Sequence, residues 1–416
     1  MLNQADVVAR PSFASIESAS KALVGVVAPT PYVHSSPLSK LTGADVSLKL
    51  ENLQYTGSFK VRGAYIKLQS LAPHERSGGV VAISAGNHAQ GVAYHGARLG
   101  IVTTIVMPTT TPYAKVRRTE ALGARVVLRG ANFAEAAGEA ERLAVEEHLT
   151  MIHPYDDPQI IAGQGTIGIE MLNAQPDVDA VVVPVGGGGL IAGIATAVKH
   201  VAPHVEVIGV QTEEHCSLYE LLHGIRPPAQ AAPTLAEGIA VKRIGRLNAE
   251  IAKDLVDDVV LVDEPALERA VHLLLEEEKT LVEGAGAAAL AALLSAPKRF
   301  VGKRVALVLS GGNIDTGLLA SVILRVRFQE GRVARLRVQI VDAPGALMQI
   351  SSLLAMHHAN VVDVSHHRAF SGVPAKCAEL DFTIEMRTPG DIHPILDGLR
   401  KAAFETTLLI GNAANG

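Results

Sequence analysis

Four segments of this chain hold residue types whose spacing could do chemistry: an enclosed lysine, a small-residue polar turn, a run of four glycines and a serine at a strand end. Lys60 sits in 56-TGSFKVRGA-64, in the first turn of an expected helix, where the helix field disfavours a cation. Phe59, Val61 and Gly63 are apolar or small and could enclose the amine, lowering its pKa and favouring imine formation. A solvated surface lysine is the plainer reading of that position taken alone. In 84-SAGNHAQG-91, backbone N–H groups can receive a carboxylate and Asn87 can donate to a ring oxygen. A tight turn explains Gly86 equally well, though it does less for Ser, Asn, His and Gln grouped together. The run 186-GGGG-189 between the strand VVVPV and the helix LIAGIATAV exposes consecutive N–H groups at a helix N-terminus, which suits a phosphate dianion. It has neither the Lys-Ser/Thr of an ATP loop nor dinucleotide-type spacing, and a bare turn is the alternative. In 310-SGGNID-315, Ser310 would point from a strand end into a cleft and meet a ring nitrogen, or it is simply a turn serine.

Strands and helices in βα order must position these segments. GGVVAIS, IVTTIVM and ARVVLRG each precede an expected helix, at about 88–99, 112–122 and 133–147. A second set follows, with helices at about 158–173, 264–277 and 283–294 and the strands DAVVVPV, EVIGVQ, DVVLV and RVALVLS. Compact strands alternating with helices predict an α/β fold with two parallel-rich open sheets flanking a cleft. Residues 58–150 form the smaller subdomain and residues 1–57 with 151–325 the larger, so that 1–325 is one catalytic region with its ligand site between the sheets. After a 326–332 linker, residues 333–407 read as a βαββα unit with a possible closing strand in TTLLI, a ferredoxin-like α+β module, and 408–416 as a tail.

Composition narrows the function. With 416 residues, 48% hydrophobic and 19% charged, the chain can bury a core. A net charge of −5 without a basic tract makes nucleic acid an unlikely partner. The two cysteines, Cys216 and Cys377, are far apart and suggest neither a disulfide framework nor a zinc site. The start lacks a signal-like apolar core, and no apolar run reaches the roughly 18 residues of a membrane span, so the cytoplasm is the expected location and a membrane is not an expected partner.

Taken together, ENLQYTGSFKVRGA, SAGNHAQGVAY, MPTTTPYAKV, IAGQGTIGIE, VPVGGGGLIAG, TLAEGIAVKR, EGAGAAAL and SGGNID resemble the second fold type of pyridoxal-phosphate enzymes over about residues 15–322, most closely the serine/threonine ammonia-lyases. The resemblance implies pyridoxal 5′-phosphate as cofactor, linked to Lys60 with Phe59 beside it. It implies a 3′-oxygen contact from Asn87, a phosphate cradle from Gly186, Gly187, Gly188 and Gly189 with Leu190 opening the helix, and Ser310 at the pyridine nitrogen. Ser84, Ala85, Gly86, Asn87 and His88 would hold the substrate carboxylate, with Ser84 a second catalytic candidate beside Lys60. Glu283 would lie near the ring, although it could equally cap the helix it opens. The implied activity converts L-threonine to 2-oxobutanoate and ammonia, with side activity on L-serine. Lys60 would take the Cα proton, the cofactor phosphate would protonate the leaving hydroxyl, and a neutral serine at the ring nitrogen would limit the electron sink.

Two departures from relatives carry expectations. Serine racemases of this group have a second serine where this chain has Ala85, so racemisation should be weak. Metal-binding relatives have acidic residues where this chain has Gln211 and Ser217, so no divalent ion should be required and no metal site is assigned. Among the histidines, the pairs His357, His358 and His366, His367 point different ways on a helix or strand. Two rival functions would leave different residues. A synthase such as cysteine synthase would read TSGNTG where this chain reads SAGNHAQ, and a non-catalytic sensor would have lost Lys60 or the glycines.

The stretch 342-DAPGAL-347 resembles the D-x-P-G-x-L signature of ACT domains, the small amino-acid-sensing modules. Pro344 fixes the turn and Gly345 admits close backbone approach. The resemblance implies a regulatory site at a subunit interface lined by Asp342, Gly345 and Leu347 with Asn360 nearby, taking a branched-chain amino acid. The alternative is a module that only joins subunits. A regulated committed step, as in isoleucine biosynthesis, favours threonine over serine, and a homodimer or homotetramer is expected.

Overall fold

The computed structural model describes residues 9–225, 232–368 and 372–410, which fall into two compact units, Met1–Ile314 and Asp315–Gly416. Unit 1 contains β1 (Tyr32–His34), β2 (Asp45–Lys49), β3 (Val80–Ile83), β4 (Thr103–Met107), β5 (Arg125–Leu128), β6 (Thr150–Met151), β7 (Ala180–Pro184), β8 (Glu206–Thr212), β9 (Asp258–Val262) and β10 (Arg304–Val308). One sheet has the order β5-β4-β3-β6, all parallel, and the other the order β1-β2-β10-β7-β8-β9, parallel except for the β1–β2 pair. Every residue of β4 and β7 is buried, as expected of strands covered by helices on both faces.

The pairing of β2 with β10 decides where the chemistry lies. Asp45 faces Arg304 and Lys49 faces Val308, so the chain leaving β2 runs beside the chain leaving β10. A bridge between Ser58 and Gly311 and a 3.2 Å hydrogen bond from Phe59 N–H to the Ser310 carbonyl continue that contact past the strand ends. The lysine segment and the 310–315 turn are thereby held together.

The helix Pro158–Ala174 starts where Asp157 accepts from the N–H groups of Gln159 and Ile160 and where Pro158 fits the first helical position. It lies between the helix Lys60–Ser70 and the helix Gly189–Val201, and glycines make both approaches close. A Cβ at Gly163 would stand 2.6 Å from the Gly63 Cα, and one at Gly165 would stand 2.7 Å from the Gly193 carbonyl oxygen. Beside the first contact the fully buried Arg62 donates to Glu51 (2.8 Å), Glu170 (2.5 Å) and Thr166 (3.0 Å), while the buried Lys49 meets Glu170 at 2.6 Å. Two cations and two carboxylates thus neutralise one another inside the fold.

Unit 2 contains β11 (Val333–Val341), β12 (Asn360–His367), β13 (Cys377–Glu385) and β14 (Glu405–Ile410) in the antiparallel order β12-β13-β11-β14. Its core includes Leu336, Val338, Phe382, Leu354 and Leu399, the last two from the helices Ala346–Met356 and Ile392–Lys401. The segment TTLLI lies within β14, so the first three residues of the expected 408–416 tail are strand; residues 411–416 lie outside the described residues. The division between units falls earlier than the expected boundary after 325. Thr316–Gln329 is one continuous helix, with the Asp315 side chain accepting from Gly317 N–H (2.9 Å) and Leu318 N–H (3.1 Å). Most of the stretch expected as a 326–332 linker is therefore helical, because that cap starts a helix which runs through the change in composition.

Candidate active site

Lys60 is the first residue of its helix and half-buried, and its Nζ donates to the Pro154 carbonyl at 3.0 Å and lies 5.1 Å from the centre of the Phe59 ring. Burial draws its pKa from 10.5 down to about 8, only partly opposed by the charge of Glu283. An amine in that range is partly neutral near neutral pH and able to act as a nucleophile or base.

Facing it, the four-glycine turn ends β7 and starts the helix Gly189–Val201, with Gly188 in the left-handed region at φ 91°. Asn248 Nδ2 donates to the Gly187 carbonyl (2.7 Å) and to the Tyr155 carbonyl (3.1 Å), and Gly245 N–H also donates to Gly187 (3.1 Å). With that carbonyl tied down, the first-turn N–H groups, which have no intrahelical acceptor, are left to the cleft. The Tyr155 ring packs directly on Gly187 and leaves no room for a side chain there. Asp156 accepts from Arg246 N–H (2.9 Å) and Leu247 N–H (3.0 Å), so 154–156 supports the amine, the cradle and a neighbouring helix at once.

The third wall is a chain of amides. Asn313 Nδ2 donates to Asn87 Oδ1 (2.7 Å) and to the Thr56 carbonyl (2.7 Å), and Asn87 Nδ2 donates to Glu283 Oε1 (2.6 Å). Burial raises the Glu283 carboxyl to about 7, against the opposing pull of its hydrogen bond from Asn87. Glu283 occupies the N-cap position of its helix but makes no capping bond with its side chain, so the capping reading falls to the stronger claim of the Asn87 amide.

Phe59, Lys60, Asn87, Gly186 to Gly189, Leu190, Glu283 and Ser310 line one cleft. Tyr155, Pro184, Ile239 and Ala285 add to its apolar wall; sequence reasoning missed them, and Tyr155 is legible only once Gly187 is placed opposite it. The rest of the small-residue turn stands apart from this lining. Ser84 Oγ accepts from Gly86 N–H at 3.1 Å, within its own turn. The His88 ring, expected among the carboxylate-holding residues, is buried with Nε2 3.1 Å from the Ile152 carbonyl, and burial with the nearby Lys60 charge lowers its pKa to about 3. The ring is thus a neutral structural group, and the contact expected of His88 with a substrate carboxylate rests with its backbone N–H at the helix start.

Gln211 is fully buried, with Oε1 accepting from Leu218 N–H (2.9 Å) and Tyr219 N–H (3.0 Å) and Nε2 donating to the Val185 carbonyl at 3.3 Å. Its amide ties the base of the glycine turn to the helix Ser217–His223. In unit 2, Gly345 (φ 95°) precedes the helix Ala346–Met356, and Asp342 accepts from Arg368 at 2.9 Å. His366 lies 3.9 Å from Asp342 and His367 lies 3.5 Å from Asp381, two separate carboxylates.

A pyridine ring bearing an aldehyde and a phosphate fits this donor set. The cradle would hold the dianion, Lys60 the aldehyde carbon, Ser310 the ring nitrogen and Asn87 the ring oxygen. Comparison with known proteins agrees on the cofactor. Residues 24–311 match the family model described as pyridoxal-phosphate dependent enzyme. The chain is 46% identical to an L-threonine ammonia-lyase of Thermotoga maritima over 371 residues, 89% of this chain and 92% of that one. It is 42% identical to an L-threonine ammonia-lyase of Geobacter sulfurreducens over 395 residues, 95% of this chain and 98% of that one. Among solved structures, the processed form of threonine deaminase isoform 2 from Solanum lycopersicum superposes with a TM-score of 0.71 at 36% identity, covering 77% of this chain and 92% of that one.

Proposed function

The chain belongs to the pyridoxal-phosphate dependent enzymes, and on that premise we propose that it is an L-threonine ammonia-lyase, converting L-threonine to 2-oxobutanoate and ammonia with side activity on L-serine. One observation carries the reading: a half-buried amine and a glycine cradle face each other across one cleft, in a chain matched along most of its length by L-threonine ammonia-lyases. When bound, the cofactor supplies an electron sink that acidifies the Cα–H of the attached amino acid. Lys60 Nζ takes that proton, its lowered pKa leaving a neutral fraction available. Phe59, Tyr155 and Ile239 give one side of the cleft an apolar wall. Asn87 and Glu283 orient the ring, Ser310 offers a neutral partner to its nitrogen, and the N-terminal N–H groups of the helix starting at Asn87 suit the substrate carboxylate. Measuring 2-oxo acid release from L-threonine and L-serine tests the assignment: a kcat/KM ratio strongly favouring serine reverses it, and L-to-D serine conversion as fast as elimination would contradict the racemisation argument from Ala85.

Unit 2 serves regulation in this reading. Asp342, Gly345, Leu347 and Asn360 form the site for a branched-chain amino acid, and Leu347 is 44% exposed and so accessible to one. The edge strand β12 exposes Val361, Val362 and Val364, which supports assembly into a homodimer or homotetramer through this unit. A role in isoleucine formation and a cytoplasmic location accompany the proposal. Binding of isoleucine, leucine or valine measured by calorimetry, with rate and assembly followed in parallel, tests it; no response to any of them leaves unit 2 as an assembly module.

A further inference from the structure

A non-glycine residue with a left-handed backbone stands at the margin of the cleft. Thr56 has φ 59° and ψ 15°, a conformation disfavoured for a β-branched side chain, and its buried hydroxyl has no hydrogen-bond partner, so the side chain does not hold it there. The Thr56 carbonyl is held instead, by Asn313 Nδ2 at 2.7 Å. Asn313 is seated by Gly57, where an added Cβ would stand 2.7 Å from Asn313 Oδ1.

A carbonyl oxygen only accepts, so Asn313 must turn its NH₂ group toward Thr56. The same NH₂ reaches Asn87 Oδ1 at 2.7 Å, which uses the Asn87 oxygen and turns the Asn87 NH₂ the other way. That group donates one hydrogen to Glu283 Oε1 at 2.6 Å and keeps the second for the cleft it lines. The reversed order would set carbonyl oxygen against carbonyl oxygen at Thr56. From this geometry we infer that Asn313 is a positioning residue: with the Thr56 carbonyl as its fixed end, it sets the donor direction of the chain Thr56–Asn313–Asn87–Glu283, so that Asn87 presents N–H to the cofactor's ring oxygen. The inference rests on the cofactor reading of the cleft.

Asn313→Asp and Asn313→Ala, beside wild type, test it by absorbance of the cofactor-loaded proteins across pH, cofactor Kd by dialysis and melting of the unloaded proteins. Asn313→Asp keeps the shape but loses both donors and sets its carboxylate against two acceptors. The expected result is a displaced band and pH midpoint and at least a tenfold weaker Kd in both variants, larger for Asp than for Ala, with the unloaded Asp protein melting no lower than the Ala protein. A filler role predicts the opposite order, Ala worse than Asp, and that order overturns the inference, as do wild-type spectra, midpoint and Kd in both variants. Failure of the wild type itself to give a cofactor band would instead remove the cofactor reading.

Discussion

Replacing Gly187 by alanine tests how the cradle is built. Gly187 is absent from the positive-φ glycines, unlike Gly188 at φ 91°, so alanine carries no backbone strain at 187 and the whole effect comes from space. A Cβ there would overlap Cγ, Cδ1 and Cδ2 of the Tyr155 ring, which must retreat by roughly 1 Å to restore ordinary carbon contact. Its backbone is held by the Asn248 bond to the Tyr155 carbonyl and by the Asp156 cap, so the ring's escape lies into the cleft it lines. Overpacking of this kind costs about 1–3 kcal/mol, and if the cost falls on binding, cofactor Kd rises about 5- to 150-fold. Equilibrium dialysis of Gly187→Ala, Tyr155→Ala and the double variant reads it. Tyr155→Ala removes the obstacle, so the double variant should bind better than Gly187→Ala alone, with a coupling energy above about 0.5 kcal/mol. A double variant as weak as Gly187→Ala would refute the reasoning and place the fault in the path of the phosphate itself.

Removing the guanidinium with Arg62→Met leaves Glu51 and Glu170 to share Lys49 and should cost about 3–5 kcal/mol in denaturant unfolding, whereas a loss under 1 kcal/mol would mean the cluster is not coupled to the fold. Lys60 has its pKa lowered from 10.5 to about 8 by burial, so the fold resists its charge below pH 8 and its contribution to stability grows as pH rises from 8 to 10.5. Unloaded wild type should gain roughly 3 kcal/mol relative to Lys60→Met across that window, and parallel curves would contradict the shift. A chain ended after Ile314 should keep turnover and lose any response to branched-chain amino acids, read by the same 2-oxo acid assay.

Where a property depends on neighbours in sequence, it was legible. Apolar spacing placed the Lys60–Ser70 helix, and glycine runs marked the turn before the Gly189–Val201 helix. The order of strands and helices gave two parallel-rich sheets and a ferredoxin-like unit. Properties created by distant approach were not legible. Tyr155 matters because Gly187 lacks a side chain, and Glu283 is claimed by Asn87 rather than by its own helix. His88 has the composition of a ligand-binding turn but is enclosed by the core, and the Arg62 cluster joins residues from four separate elements.

The packing of the Pro158–Ala174 helix against its two neighbours acts as a mechanical gauge. At Gly163 it meets the backbone of the lysine-bearing helix, and at Gly165 the backbone of the helix that begins at the cradle. Backbone cannot change rotamer, so this gauge has no slack of the kind side-chain contacts provide. A methyl group at either glycine, outside the cleft lining, must push apart the two helices that carry the reacting amine and the phosphate seat. Attempts to fit a larger or differently shaped cofactor by reshaping the cleft walls would therefore leave its span unchanged; altering the span requires redesigning this pair of glycine contacts together.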